Sequence, residues 1–163
     1  MTVEPSWLAR ARGHIGVREV PGRGDSPVIQ RWLRSLRAWW SDDATPWCGV
    51  FVAAMMQPEG FALPKHWYRA RAWLEFGQRI PVPNLGCIVI FEREGGGHVG
   101  FAVGYDDQRR LMVLGGNQGD AVSIAPFDRS RVIEFRWPIN STAPQIALPR
   151  VDSRGLPTSR NEA

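Results

Sequence analysis

The sequence predicts an α+β domain in which N-terminal helices pack on a C-terminal antiparallel sheet of about five to six strands. Three observations predict it. In the first half of the chain apolar residues recur at helical spacing. From Gly86 on they come in short β-branched and aromatic runs separated by Gly- and Asp-rich turns. Helices therefore come first and a meander second, the order of an α+β chain. With 163 residues, 44% apolar and 22% charged, the chain is long enough for one domain with a real core and has a globular composition.

Ser6 is placed to cap a helix over residues 6–15, with Trp7, Leu8, Ala11 and Ile15 on one face. Residues 17–24 carry Pro-Gly and Gly-Asp turn signals. Ser26 caps a second helix with Pro27 at its first position. Val28, Ile29, Trp32, Leu33, Leu36 and Trp40 give it a helical period, and Arg31, Arg34 and Arg37 lie mostly opposite. A polar turn containing Asp42 and Asp43 leads to Pro46-Trp47, and then to Cys48 through Met56 without a charge. That run reads as a buried helix starting near Cys48, because Pro46 disfavours helical geometry before it. A short helix over 67–76 stops at Gly77, and Pro81 to Asn84 is a rigid connector. Strands are expected over 86–91, 98–105, 111–114, 122–124 and 132–137. Beyond Pro138 periodicity is lost, so residues 1–138 are expected to be the single folded domain and 139–163 a flexible tail.

Formal net charge is +4 and the isoelectric point about 9.8, carried almost wholly by Arg with Lys65 the only Lys. Such a surface suits an anionic partner. The Arg residues are scattered, and no basic cluster alternates with aromatics, so nucleic acid is not the expected partner. No run of about 18 apolar residues offers a membrane span. The first residues lack a basic region followed by an apolar one, so no signal peptide is expected and synthesis in the cytoplasm is. Two cysteines make no disulfide framework, and without a C-x-x-C pair no zinc cluster or other metal site is expected.

The chemistry-bearing candidates start with Cys48. Unpaired N–H groups and a positive dipole end at a helix start stabilise a thiolate and lower its pKa. The plain alternative is a small buried Cys in a core helix. His14 and His66 suit packing or surface roles. His98 follows Gly95-Gly96-Gly97 and opens a strand. If the sheet packs on the Cys48 helix, His98 reaches Cys48 and serves as general base and then general acid. An imidazole in that role needs a third group to fix its tautomer. Asn117, in Leu114-Gly115-Gly116-Asn117-Gln118, is preferred; Gln118 competes for the same role, and a plain turn Asn is the alternative.

The order Cys, His, Asn is that of papain-like enzymes. The stretch Pro46-Trp47-Cys48-Gly49-Val50-Phe51-Val52 resembles the nucleophile motif of bacterial and phage cell-wall cysteine peptidases of the NlpC and CHAP types. Gly86 to Phe91 resembles their strand before the catalytic His, and Gly97-His98-Val99-Gly100-Phe101 the His strand itself. One prophage and phage branch combines an Ile-Gly-Val-x-Glu-x-x-Gly element (Ile15 to Gly22), Asp-Asp before Pro-Trp-Cys, Gly-His-Val-Gly-Phe and Leu-Gly-Gly-Asn-Gln, all found here over roughly residues 7–138. One departure is Cys87, where the family's strand motif usually has Asp. Cys87 then reads as a buried packing residue, with a regulatory Cys48–Cys87 disulfide as the alternative.

The resemblance implies a papain-like fold over 1–138 and hydrolysis of peptidoglycan amide bonds through Cys48, His98 and Asn117, with no cofactor. Glu19, Asp42, Asp43 and Gln118 are candidate contacts to the stem peptide, and Trp47 a candidate cleft wall. The expected partner is peptidoglycan, met by a monomer in the cell wall or periplasm after release or delivery. A holin-dependent export route fits a phage or prophage endolysin, and a cognate immunity protein fits an injected toxin. The competing expectations are a catalytically inactive peptidoglycan-binding module, a nucleic-acid-binding domain, and a zinc hydrolase using Cys48, Cys87 and His98.

Overall fold

The computed structural model describes residues 3–21, 25–41, 46–160 and 162. Among them, helices α1 (Ser6–Arg12), α2 (Pro27–Ser35) and α3 (Cys48–Met56) precede the strands β1 (Gln78–Ile80), β2 (Ile88–Arg93), β3 (Gly96–Tyr105), β4 (Leu111–Gly115), β5 (Ser123–Phe127) and β6 (Val132–Trp137). The strands form one sheet of order β1-β6-β2-β3-β4-β5, antiparallel throughout. The α+β order read from the sequence holds. β2 to β5 are a meander; β6 returns to the free side of β2, and β1 adds an edge. The sequence did not announce β1, because three residues carry too little alternation to register.

The helices follow the apolar spacing but are shorter than it predicts, α2 ending at Ser35 before Leu36 and Trp40. Trp7, Leu8 and Ala11 are buried as expected, but Pro5 holds the N-cap position and Ser6 lies inside α1, its hydroxyl donating to the Glu59 carboxylate. α1 also ends at Arg12, so Ile15 falls beyond it and is 47% exposed. In α2 the Ser26 side chain accepts from the Ile29 N–H at 3.4 Å, the cap the sequence predicts. All nine residues of α3 are buried, as an uncharged apolar run requires. The short helix expected over 67–76 is a tighter 3-10 segment confined to residues 70–75, with Ala70 and Trp73 buried. No helix among the described residues is long and apolar enough to cross a membrane.

Side chains alternate between the faces of a strand. In β2, Ile88 through Phe91 are all buried, so both faces of the sheet centre are covered. On one face Phe101 meets Phe51 of α3 edge-on, centroids 6.1 Å apart, and Gly97 abuts Ala70 and Arg71. On the other face Phe91, His98 and Phe127 form a stack.

The segment expected as a flexible tail lies against this body. Asn84 bridges to Ala147 and Tyr105 to Arg150, and the Leu85 N–H donates to the Ile146 carbonyl at 2.7 Å. Ala143, Ile146, Leu148 and Val151 pack on the core without any period that a sequence reading detects. Arg110 fastens the next stretch, donating to Leu156 O, Thr158 Oγ1 and Ser153 Oγ. Asp106 holds Arg110 at 2.7 Å. Burial alone would push Asp106 up, but the hydrogen bonds and charge of Arg110 keep it below the usual carboxylate range.

Candidate active site

Cys48 is the first residue of α3, with Trp47 at the N-cap. Trp47 is 1% exposed, and its indole N–H donates to Glu19 Oε1 at 2.5 Å. The two residues brace the helix start from inside. Trp47 is therefore no exposed cleft wall here, and the half-buried Glu19 holds its indole. The backbone N–H of Val99, one residue beyond His98, lies within hydrogen-bond reach of the thiol. The sequence expectation of a depressed thiol pKa fails. Burial pushes Cys48 up, and the Val99 and Gly49 N–H groups and the Arg93 charge only partly offset it. Desolvation disfavours the thiolate more than a helix end favours it.

His98 is fully buried, with Phe127 parallel to it at 5.3 Å and Phe91 at 6.1 Å. Its Nε2 is 3.0 Å from Gln118 Oε1. The Gln118 amide nitrogen donates to Val113 O at 3.1 Å and to Ser123 O at 2.8 Å. Both amide hydrogens are thus used on carbonyls, so Oε1 must face the ring. Nε2 then carries the proton, and Nδ1 holds the free lone pair. Nδ1 is buried and makes no hydrogen bond among the described residues. Burial drives His98 down to about 4; the Gln118 hydrogen bond and the Glu162 charge oppose this, and Arg131 and Arg93 add to it. The resting site therefore pairs a neutral thiol with a neutral imidazole.

The preference for Asn117 as the orienting amide is corrected: Gln118 has that place. Asn117 turns the chain with φ of 60°, its Nδ2 donates to the Glu162 carbonyl at 3.4 Å, and its Oδ1 has no partner among the described residues. A sequence signal existed. Asn tolerates positive φ better than Gln, so in Gly-Gly-Asn-Gln the Asn takes the turn and the Gln is left to reach the ring. Gly116 lets this loop close on α3, since a Cβ there would sit 2.7 Å from Phe51 Cβ and 2.8 Å from the Trp47 ring.

Cys48 and His98 are neighbours without a direct bond. Alternation sends His98 to the sheet face opposite the one that meets the body of α3 at Phe101. The tip of α3 reaches β3 at the Val99 peptide. Among the described residues no hydrogen bond joins thiol to imidazole, Nδ1 being without a partner. Asp42 and Asp43 lie outside the described residues. Cys87 is fully buried and its thiol is pushed up to about 12 by burial; both cysteines are free. His14 Nδ1–H donates to the Arg10 carbonyl, and His66 meets the Tyr68 hydroxyl, each away from the site. Among the described residues no group of three or more His, Cys, Asp or Glu is placed to hold a metal ion.

Sequence reasoning missed three charged residues beside His98. Arg93, Arg131 and Glu162 all act on its titration. Glu162 comes from the stretch whose composition read as a tail, and nothing local in the sequence ties it to β3. A scan of protein-family models and a search of curated proteins each return no match for this chain.

Proposed function

We propose that the chain is a cysteine amidase or endopeptidase of peptidoglycan with a papain-like fold, in which Gln118 rather than Asn117 completes the set with Cys48 and His98. One observation carries the reading. His98 has Nε2 tied to Gln118 at 3.0 Å and an Nδ1 with no partner among the described residues, and the next peptide of the same strand lies beside Cys48 at a helix N-terminus. A tautomer-fixed imidazole with its basic nitrogen free is what a thiol nucleophile needs. Hydrogen bonds between such groups are often long before substrate binds.

In the proposed cycle the Cys48 proton passes to His98 Nδ1 and the sulfur attacks the amide carbonyl. The C–N bond then breaks, and His98 returns that proton to the leaving amine. Water next gives a proton to Nδ1 as its oxygen attacks the thioester, releasing a carboxylic acid and restoring the thiol. Gln118 holds the ring and accepts from Nε2–H throughout. The Cys48 N–H, at the start of α3, is a donor for the oxyanion. An endolysin, or a toxin delivered to the wall, is the biological setting that fits.

A second reading is a catalytically silent wall-binding module. The buried, neutral Cys48 and His98, with no bond between them, favour it. Mass spectrometry of soluble fragments from purified sacculi separates the two. Defined muropeptides from the wild type, absent with Cys48→Ala and with His98→Ala, are expected. Sacculus binding with no fragments from any variant would replace the hydrolase by the binding module.

A further inference from the structure

Glu162 is 1% exposed and is held at both ends. Its carbonyl accepts from Arg93 Nη1 at 3.0 Å and from Asn117 Nδ2 at 3.4 Å. Its carboxylate accepts from Arg131 at 2.5 Å and from the Ser159 hydroxyl at 3.1 Å. The Arg131 guanidinium lies over Phe91 and Phe127, the two rings stacked on His98, at 6.0 and 5.5 Å from their centroids. The slot that receives Glu162 is therefore built directly on the His98 stack.

The fit is incomplete. Among the described residues Asn117 Oδ1, on a side chain 1% exposed, has no partner, and neither has the buried Arg93 Nε. Buried polar atoms without partners are uncommon and call for an explanation. An acceptor and a donor stand unused beside a bound carboxylate and a bound carbonyl. A peptide that brings a carboxylate, a carbonyl, a further N–H for Asn117 Oδ1 and a further oxygen for Arg93 Nε would use all of them. The slot borders a cleft of about 790 Å³ that shares Arg93, Arg131 and Ser159 with it, where four guanidinium groups, with Arg71 and Arg160, outnumber the carboxylates of Glu92, Glu94 and Asp128 by one.

We propose that Arg93, Arg131 and Asn117 form a subsite for the carboxylate of an acidic acyl peptide, and that Glu162 fills it in the resting chain. The subsite rests on the reading of Cys48 and His98 as the reacting pair. Displacing Glu162 seats an acidic peptide beside His98 and opens the covered site to water, which relieves the desolvation that keeps both groups neutral. The substrate class is then an acyl peptide with a free carboxylate close to the amide that is cut.

The test needs no turnover. Cys48 alkylation by iodoacetamide is followed by peptide mass in wild type, Glu162→Ala and the isosteric Glu162→Gln. Emptying the slot is expected to speed alkylation roughly tenfold, by raising the open fraction. In Glu162→Ala, millimolar N-acetylglutamate α-methylamide slows alkylation again, whereas the neutral N-acetylglutamine α-methylamide does not. Adding Arg131→Gln removes that protection. Equal effects of acid and amide overturn the subsite, as does an unchanged Cys48 rate in both Glu162 variants. Loss of cooperative melting in Glu162→Gln also overturns it, since a displaceable occupant is not required for the fold. Charge-selective protection without muropeptide release would remove the hydrolase and keep the subsite; muropeptide release without that protection would remove the subsite alone.

Discussion

Replacing Gln118 by Ala tests the site at its best-defined contact. The change strips a partner from two buried groups, His98 Nε2–H and the Val113 carbonyl, and from the half-buried Ser123 carbonyl. Each such group left dry costs about 1–3 kcal/mol, and water entering the vacated space recovers part of it, so a loss of about 2–4 kcal/mol follows. For a chain of this size that lowers the melting temperature by roughly 4–16 °C. The Gln118 hydrogen bond also raises the His98 pKa, so its removal leaves the imidazole a weaker base. Cys48 alkylation at pH 7 should slow, its pH profile should move to higher pH, and muropeptide release should fall roughly a hundredfold or more. The control is Asn117→Gly, which removes the other amide and keeps the positive φ that glycine adopts without strain. It also frees the Glu162 carbonyl from one of its two donors, so it should speed alkylation rather than slow it. If Asn117→Gly slows alkylation and Gln118→Ala does not, the assignment of the orienting amide is wrong.

Two further outcomes follow from the same contacts. His98 titrates near 4 in the folded chain against 6.5 unfolded, so the unfolded state binds the extra proton between those values and stability falls as the pH drops through that window. The loss at pH 5 relative to pH 7 should reach about 2 kcal/mol in urea unfolding, and His98→Phe should flatten it. Asp106 and Asp128, both held below 3.8, act only at lower pH. Equal pH dependence in wild type and His98→Phe would contradict the buried neutral imidazole. Gly116→Ala puts a methyl 2.7 Å from Phe51 Cβ, so it should cost about 1–3 kcal/mol and lift the Gln118 loop off α3. Thermal melting and Cys48 alkylation read both effects, and a variant unchanged in each would show that this close approach is not needed.

The sequence by itself determined what local pattern and residue chemistry can encode. Uninterrupted apolar character fixed α3 as a buried helix and put Cys48 at its start. Ser26 and Pro27 fixed the start of α2, and the β-branched runs fixed five of the six strands near their observed bounds. Motif order singled out Cys48, His98 and the amide pair Asn117-Gln118. Tertiary structure decided which amide faces the imidazole, because that depends on a left-handed turn at Asn117 and on two carbonyls that consume the Gln118 hydrogens. It decided the protonation state as well, since burial is a property of the packed chain and here outweighs the helix end. It also brought Glu162 to Asn117 across 45 positions of sequence. Residues 139–160 carry no period, yet they lie on the body through scattered apolar contacts and backbone bonds to Leu85 and Tyr105. Periodicity reports which residues share a face of one element; it is silent on an irregular segment held by partners on other elements.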